Sequence, residues 1–145
     1  SETTGTVRVR SISGNWLHVI NETPVAANAV AFDPLGEWLS IGFDDGSIRL
    51  WDLALGKTVQ ILKTHAKPIN DLEFSPDGKW LASASKDGTI HLFQSNNKGF
   101  SSTPTFIFSG HHASINSLSF SPNGNRLASA SDDYSIRIWE IPQDD

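Results

Sequence analysis

Two sets of side chains in this sequence have the composition of a hydrolytic triad. The first consists of His65, Ser85 and Asp87. A carboxylate can orient an imidazole, which in turn takes the proton of a nucleophilic hydroxyl. The second set follows 46 residues later and consists of His111, Ser131 and Asp133. One active site does not need two copies at a fixed spacing, so the recurrence favours a structural role in a repeated unit.

Other motifs recur at the same interval and define three repeats. Trp51, Phe93 and Trp139 occupy equivalent positions, separated by 42 and 46 residues. The same two intervals separate three Phe-(Asp/Ser)-Pro-x-Gly turns, at residues 32–36, 74–78 and 120–124. The four extra residues fall in 95–104, which is rich in Ser, Asn, Gly and Pro and is typical of a loop that accepts an insertion. A period of this length indicates a repeat architecture.

The repeats predict an all-β chain. Apolar and polar residues alternate in 69–74 and 115–120, which indicates strands with one buried face. A strand of small residues, an Asp-Gly turn and a strand of large apolar residues follow. We expect the small-residue strand to lie near the axis of a radial array. Its Ala, Ser and Leu side chains then argue against an enzyme with a site in a central channel.

These linked motifs closely resemble the WD-repeat (WD40-type) family. The resemblance covers about residues 5–140 and implies β-propeller blades of four antiparallel strands. We expect a partial propeller over 1–145, an incomplete ring of three WD repeats plus one leading strand. The repeats are expected at about 16–52, 58–94 and 105–140, with the third strand of a further blade at 5–10.

The resemblance also implies a structural role for the triad-like residues. In the family a His, a Ser or Thr, an Asp and a Trp form a buried hydrogen-bond network. The last repeat has the full set, His111, Ser131, Asp133 and Trp139. The middle repeat has His65, Ser85 and Asp87, with Phe93 in place of the indole. The first repeat keeps Asp45 and Trp51. It has Thr23 at the His position and Phe43 at the Ser position, so we expect a mostly apolar substitute for the network there.

Family members bind partners on the face that carries the loops before the first strand and between the second and third strands. The candidates for such contacts here are Asp44, Lys67, Asn70, Lys86, Asn116 and Asp132, together with Asn28 and Ser114. Their mixed charge predicts a polar, selective surface rather than an apolar groove. Each of them could instead be a solvated loop residue.

Several other classes of site receive little support from the sequence. Adjacent residues such as His111 and His112 usually point apart, so a shared metal is not expected, and no cofactor motif is present. A basic stripe at the equivalent third-strand positions is an alternative to solvated or salt-bridged side chains. Its members would be Arg8, Arg49, His91 and Arg137. The net charge of -5 argues against nucleic acid as a partner.

The remaining expectations concern location and assembly. No cysteine, secretory signal or apolar run of ~20 residues is present, so we expect a cytoplasmic protein without a membrane partner. Three repeats cannot close a ring of roughly four to eight blades. We therefore expect the C-terminal part of a larger WD-repeat scaffold protein, a sensor or regulatory platform in a signalling assembly. Alternatively, residues 16–20 of a second copy complete the last blade (115–140), giving an architectural ring without a regulated partner.

Overall fold

The computed structural model describes residues 5–21 and 23–143, and every regular element in them is a β-strand. Two antiparallel strands come first, β1 (Val7–Arg10) and β2 (Trp16–Ile20). They are followed by a four-stranded antiparallel sheet, here called blade 1. Its strands lie in the order β3 (Ala27–Phe32), β4 (Trp38–Phe43), β5 (Ser47–Asp52) and β6 (Lys57–Lys63).

Blades 2 and 3 repeat this antiparallel order. Blade 2 consists of β7 (Ile69–Phe74), β8 (Trp80–Ser85), β9 (Thr89–Asn96) and β11 (Phe106–Ser109), and the short β10 (Gly99–Phe100) pairs with the end of β9. Blade 3 consists of β12 (Ile115–Phe120), β13 (Arg126–Ser131) and β14 (Ile136–Glu140), and no described fourth strand pairs with it. The predicted all-β fold of antiparallel blades is confirmed. No described segment is a helix long and apolar enough to span a membrane.

The strand alternation follows directly from the residues. In β7 Ile69, Leu72 and Phe74 are buried, whereas the polar residues between them are half-buried. A register shift between Ile69 and Asp71 brings Ile69 and Leu72 to the same apolar seam. Such a bulge inserts one residue and moves the following side chains to the other face.

The turn between the second and third strands needs a left-handed backbone. Gly46 and Gly88 adopt φ values of +79° and +84°, which a residue without Cβ reaches at no steric cost. At Gly46 a Cβ would also lie 2.1 Å from the His65 carbonyl oxygen. Glycine is therefore required at this position of blade 1 by both its backbone conformation and its neighbour.

Apolar seams between consecutive sheets form the core. Ile48 and Leu50 of blade 1 pack with Phe74, Leu81 and Phe93 of blade 2 in one cluster of buried residues. A second cluster joins blades 2 and 3 and includes Ala82, Ile90, Leu92, Ile115 and Leu127. Each blade is thus stabilised through its neighbours, as is typical of repeat proteins.

The expected place of the small-residue strand was wrong. The first strands contact one another from blade to blade, β3 with β7 and β7 with β12, more extensively than the second strands contact a neighbouring blade. The small-residue strand β8 instead lies second, between β7 and β9. Its small side chains are required because β8 is buried on both faces by the neighbouring blades. The innermost strands are therefore the first strands β3, β7 and β12, and β7 carries Asp71 and Glu73.

The insertion at 95–104 forms a hairpin that reaches back to blade 1. Phe100 is almost fully buried and packs its ring against Trp38 and Phe74, at centroid distances of 6.1 and 5.7 Å. The side-chain amide of Gln60 on β6 pairs with the Phe100 backbone like a neighbouring strand. Its Nε2 donates to the carbonyl oxygen at 2.7 Å, and its Oε1 accepts from the Phe100 N–H at 2.9 Å. The hairpin therefore fastens blade 2 to blade 1.

Apolar residues stay exposed on one strand of blade 1 and on one strand of blade 3. Val30 and Phe32 on β3 are 54% and 56% exposed, although most of the neighbouring strand β4 is buried. On β14, Ile136 and Ile138 are 75% and 67% exposed. These faces occupy the places at which a further strand or blade would pack.

Candidate functional site

The loops at the two ends of the strands form two opposite faces, which we define by the turns that they carry. The upper face carries the segments before each first strand (64–68 and 110–114) and the turns between second and third strands (44–46, 86–88 and 132–134). The lower face carries the turns between first and second strands (33–37, 75–79 and 121–125). Most of the predicted site residues lie at the upper face.

The upper face of blades 2 and 3 holds the same hydrogen-bond network twice. In blade 2 the His65 Nδ1 lies 2.8 Å from Asp87 Oδ2, and its Nε2 lies 2.8 Å from Ser83 Oγ. In blade 3 the same two distances, both 2.8 Å, join His111 to Asp133 and to Ser129. Each Asp also binds the turn after it through a backbone N–H and a hydroxyl. The network therefore joins three segments of each blade.

The predicted serines are not the partners of the imidazoles, and Ser83 and Ser129 take that place. Ser85 instead donates to the carbonyl oxygens of Lys67 and Pro68 and accepts from the Asp87 N–H. Ser131 donates to the Ala113 carbonyl and accepts from the Asp133 N–H. Residues two apart on a strand point to the same side, so alternation could not separate them. Ser85 and Ser131 are the last residues of their strands, so the imidazoles reach the serines that lie two residues deeper.

The aromatic residue of the third strand completes the network in blade 3 alone. Trp139 Nε1 donates to Ser129 Oγ at 2.9 Å. In blade 2 the equivalent Phe93 is fully buried and makes no such bond. In blade 1 the serine position is taken by Ile41, and Trp51 Nε1 is buried without a hydrogen-bond partner among the described residues. Asp45 has no imidazole partner there and binds the Ser47 N–H and hydroxyl.

A second imidazole lies against the network of blade 2. The rings of His65 and His91 stack with centroids 3.8 Å apart, and His91 Nδ1 is hydrogen-bonded to the Thr64 hydroxyl. Burial and, to a smaller extent, the nearby His65 lower the pKa of His91 to about 4, against the opposing effect of Asp87. Burial also lowers the pKa of His65, against the opposing effect of Asp87. Two protonated rings at this distance would repel one another, so the stack favours neutral imidazoles.

This geometry corrects the expectation for the third-strand basic positions. His91 is 7% exposed, so it is neither a solvated side chain nor part of an accessible basic stripe. Arg49 lies over the Phe43 ring, with its guanidinium carbon 5.6 Å from the ring centroid, whereas Arg8 and Arg137 are exposed. The four residues lie in four different sheets. They do not form one surface.

The triad-like sets are not arranged for catalysis. The hydroxyls that contact the imidazoles belong to Ser83 and Ser129, which are 0% and 1% exposed, so a substrate cannot reach them. The Ser135 hydroxyl is the largest influence holding the pKa of Asp133 far below its usual range, followed by His111. Within the described part of the chain, no three His, Asp or Glu side chains come together in a way that could hold a metal ion. The exposed His112 contributes its backbone N–H to Asp133.

The innermost strand carries two carboxylates that the sequence analysis did not place there. Asp71 Oδ2 accepts from the Leu118 N–H at 2.7 Å, and Glu73 Oε1 accepts from the Phe120 N–H at 3.2 Å. Burial raises the pKa of Glu73. Both carboxylates bind the backbone of the next blade, so they are engaged in holding β7 to β12.

The predicted partner-binding residues divide into exposed and engaged groups. Asp44, Lys86 and Asp132 are exposed at equivalent turn positions, and Lys67 and Asn116 are exposed beside them. In blades 1 and 3 an Asn on the first strand donates to the turn Asp, Asn28 to Asp44 and Asn116 to Asp132, both at 2.6 Å.

Asn70 behaves differently because its turn partner is Lys86. With no carboxylate at that position, Asn70 Nδ2 donates to the Ser114 hydroxyl and to the Ile115 carbonyl of blade 3, both at 2.8 Å. The Ser114 hydroxyl donates in turn to Asn116 Oδ1 at 3.3 Å. Asn70 is half-buried, and its amide joins two blades.

One surface residue was missed in the sequence, although its signal was present. Tyr134 occupies the position of Gly46 and Gly88, and among the described residues it is the single non-glycine with a positive φ, +66°. Its side chain is fully exposed. A left-handed conformation costs a residue with a Cβ about 1–2 kcal/mol, and packing in this chain does not offset that cost. The break in the Asp-Gly pattern is what could have identified it.

Comparison with known proteins follows the same three repeats. The sequence profile described as "WD domain, G-beta repeat" matches residues 7–52, 56–94 and 102–140. The chain is 36% identical over 63 residues to the nuclear distribution protein nudF of Aspergillus niger, covering 40% of this chain and 14% of that protein. It is 38% identical over 55 residues to the nuclear distribution protein PAC1 of Tuber melanosporum, covering 38% and 12%.

A third relative is named for a different process. The chain is 49% identical over 41 residues to the ribosome biogenesis protein ERB1 of Malassezia globosa, covering 28% of this chain and 5% of that protein. The matched segments therefore span between 5% and 14% of these relatives.

Proposed function

Because this chain belongs to the WD-repeat family, we propose that it is a protein-interaction scaffold whose upper face binds a partner protein around Tyr134. The observation that carries the proposal is a strained and fully exposed tyrosine at a turn where the other two repeats have glycine. Strained residues of this kind concentrate at functional sites. Tyrosine is also enriched among the residues that dominate binding energy at protein interfaces.

The surroundings of Tyr134 support a polar and selective contact. Asp132 and Asn116 flank it as an exposed hydrogen-bonded pair, and Lys86 adds the opposite charge on the next blade. The Asp133–His111 network fixes the turn beneath the tyrosine, with the Asp133 carboxylate bound at both oxygens. The backbone of a rigid turn loses little conformational entropy when a partner binds.

A binding experiment with Tyr134→Gly tests the proposal. The chain is used to capture proteins from an extract of the source cells, and the retained protein is identified by mass spectrometry. We expect Tyr134→Gly and the charge reversal Lys86→Glu each to weaken capture of that protein by about tenfold or more. Lys57→Glu, a reversal at the exposed start of β6 on the lower face, is the matched control and retains it. Equal capture by all variants would refute the assignment of this surface.

The unpaired strand β14 and the exposed face of β3 support a second class of partner. We propose that further strands cover β14 and the exposed face of β3, supplied by the rest of a larger propeller or by a second copy of this chain. Val30, Phe32, Ile136 and Ile138 provide the apolar surface. A ring in which residues 16–20 of a second copy complete blade 3 requires β2 to leave β1, with which it is paired from Val7 to Arg10. We therefore favour strands of a larger propeller.

Native mass spectrometry distinguishes these two sources. Further strands of one larger propeller leave the chain as a monomer, or in complex with a different polypeptide. A two-chain ring gives an assembly of twice the mass of the chain. A dimer that persists after β1 is removed would favour the architectural ring, because β2 is then free to pair with β14.

The finer versions of the proposal concern setting. As a platform within a signalling assembly, the chain would act as a sensor or regulatory element, but the relatives are named for nuclear distribution and ribosome biogenesis. We therefore propose an assembly platform without restricting it to signalling or to the cytoplasm. The net charge of -5 and the engaged carboxylates of β7 favour a protein partner over nucleic acid or channel chemistry.

A further inference from the structure

The lower face carries a groove between blades 1 and 2, which we call the seam groove. It has a volume of about 290 Å³ and is bounded by Leu35, Glu37 and Trp38 from blade 1, and by Pro76 and Asp77 from blade 2. The two turns meet at its floor, where a Cβ on Gly78 would lie 3.7 Å from Pro34 Cδ. The β9–β10 hairpin closes one end with Ser95 and Asn96.

Leu35 stands in this groove because its turn is built differently from the others. In blade 2 two side chains accept hydrogen bonds from the backbone of the turn. Ser75 Oγ accepts from the Trp80 N–H at 2.9 Å, and Asp77 Oδ1 accepts from the Lys79 N–H at 3.0 Å. Leu35 occupies the position of Asp77 and cannot accept a hydrogen bond.

In the blade 1 turn, Asp33 provides the side-chain acceptor for two backbone N–H groups. It accepts from the Trp38 N–H at 2.7 Å and from the Leu35 N–H at 3.2 Å. Leu35 is thereby released from the turn and is 81% exposed. An aliphatic side chain this exposed, beside a tryptophan and two prolines, provides an apolar contact surface.

The ionisable residues that line the groove are acidic. Three carboxylates line it, those of Asp33, Glu37 and Asp77, and no described lysine, arginine or histidine does. Burial would raise the pKa of Asp77, but hydrogen bonds from Ser75 and from the Lys79 N–H, together with the nearby Lys79 charge, hold it below its ordinary value. Glu37 occupies the position at which blade 2 has Lys79. An apolar floor with an acidic rim complements a side chain that combines an alkyl stem with a positive charge.

We propose that the seam groove binds a basic peptide segment of a partner protein, in which an apolar side chain contacts Leu35 and a neighbouring arginine or lysine reaches Glu37. Trp38 lines the groove near Glu37, where its indole offers an aromatic contact to a guanidinium. The site lies on the rim opposite Tyr134, so it is a second docking surface and does not depend on the function proposed for the upper face. The two surfaces allow the chain to hold two proteins at once.

Titration of the ¹⁵N-labelled chain with a short peptide tests this inference. The probe is the acetylated and amidated tetrapeptide Leu-Arg-Leu-Arg, and the signal is the indole N–H resonance of Trp38, assigned with Trp38→Phe. We expect a saturable shift of this resonance and of the Gly78 amide. The peptides Leu-Glu-Leu-Glu and Ser-Arg-Ser-Arg are the controls. The first removes the charge complementarity and the second removes the apolar contact.

Two substitutions taken from the other repeats serve as matched variants. Glu37→Lys installs the residue of the second repeat, Lys79, and Leu35→Asn installs that of the third, Asn123, which removes the apolar contact without adding charge. Each is expected to weaken the Leu-Arg peptide by about tenfold, whereas Tyr134→Gly leaves its binding unchanged. If Glu37→Lys does not fold, Glu37→Gln replaces it, with a loss of several-fold expected.

Three results would overturn the inference. They are no saturable shift of Trp38, equal binding of either control peptide, and unchanged affinity in the folded Glu37 variants. Failure of the upper-face experiment has no bearing on these outcomes, because the peptide titration does not use Tyr134 or Lys86.

Discussion

Replacing Phe100 with alanine is expected to lower the free energy of unfolding by about 3 kcal/mol. The ring is 2% exposed and packs against aromatic residues of two blades, Trp38 and Phe74. Truncating a buried phenylalanine typically costs about 3–5 kcal/mol. We take the lower end because the hairpin lies at the surface and can come away from blade 1, so that water fills the space and no cavity remains.

Removing the side-chain amide of Gln60 gives a second change in the free energy of unfolding, which can be compared with that of Phe100→Ala. Gln60→Ala deletes two hydrogen bonds to the Phe100 backbone, at 2.7 and 2.9 Å. At about 1 kcal/mol for each bond, the expected loss is about 2 kcal/mol. If the hairpin docks as one unit, Phe100→Ala already releases it and leaves little for Gln60 to hold. The double variant is then expected to lose about 3–4 kcal/mol rather than the additive sum of about 5 kcal/mol.

Equilibrium unfolding in urea, followed by tryptophan fluorescence, measures these three variants. Leu55→Ala is the control, because Leu55 is 62% exposed in the equivalent turn of blade 1 and its truncation should change stability by less than about 0.5 kcal/mol. Hydrogen exchange at the Phe100 amide reports the docking directly and should accelerate in Gln60→Ala. A loss below about 1 kcal/mol for Phe100→Ala, or strict additivity of the pair, would refute the view that this hairpin fastens the two blades.

Three further predictions concern the network and its turns. Burial holds the pKa of His65 below the ordinary value and that of His91 at about 4. The unfolded chain therefore binds more protons between about pH 6.5 and 4, and stability should fall as the pH falls through that window, by at most about 1.4 kcal/mol per unit for each histidine. Urea unfolding at stepped pH should show a shallower slope in His91→Gln, and an unchanged slope would contradict this. Tyr134→Gly should raise the free energy of unfolding by about 0.5–1 kcal/mol, because it removes a left-handed strained residue without removing a contact. A lower thermal midpoint would show that the tyrosine stabilises its turn. Ile41→Thr should cost about 1 kcal/mol less than Ile48→Thr, since both side chains are fully buried but only position 41 can supply an acceptor to Trp51 Nε1. Equal losses would indicate that the indole does not use that acceptor.

The architecture could be predicted from the sequence because its signals are local and repeated. Alternating apolar residues, Asp-Gly turns and equal intervals all specify the same blade, and the strands lie where these patterns indicate. The predicted histidines and aspartates of blades 2 and 3 are within hydrogen-bond distance of one another for the same reason. The repeat places them on the two segments that meet at the upper face.

Other features depend on contacts between repeats, which no single repeat encodes. Ser83 and Ser85 have the same parity on β8, so only the depth of His65 in the folded blade distinguishes them. The carboxylates of β7 were overlooked because the innermost strand was misassigned. Phe100 belongs to an insertion that the repeat pattern treats as a loop, and its partner Gln60 lies 40 residues away. Long-range pairing of this kind leaves no periodic signal.

The exchange of one turn residue, Lys86 for Asp, has an evolutionary consequence. It redirects Asn70 from its own turn to the backbone of the next blade, whereas Asn28 and Asn116 stay with Asp44 and Asp132. Position 86 therefore contributes to two traits at once, the charge offered to a partner and the cohesion of blades 2 and 3. A Lys86→Asp exchange would alter the surface and offer Asn70 the turn carboxylate that Asn28 and Asn116 use. Position 86 is therefore pleiotropic, so a substitution there changes the recognition surface of this chain together with its scaffold.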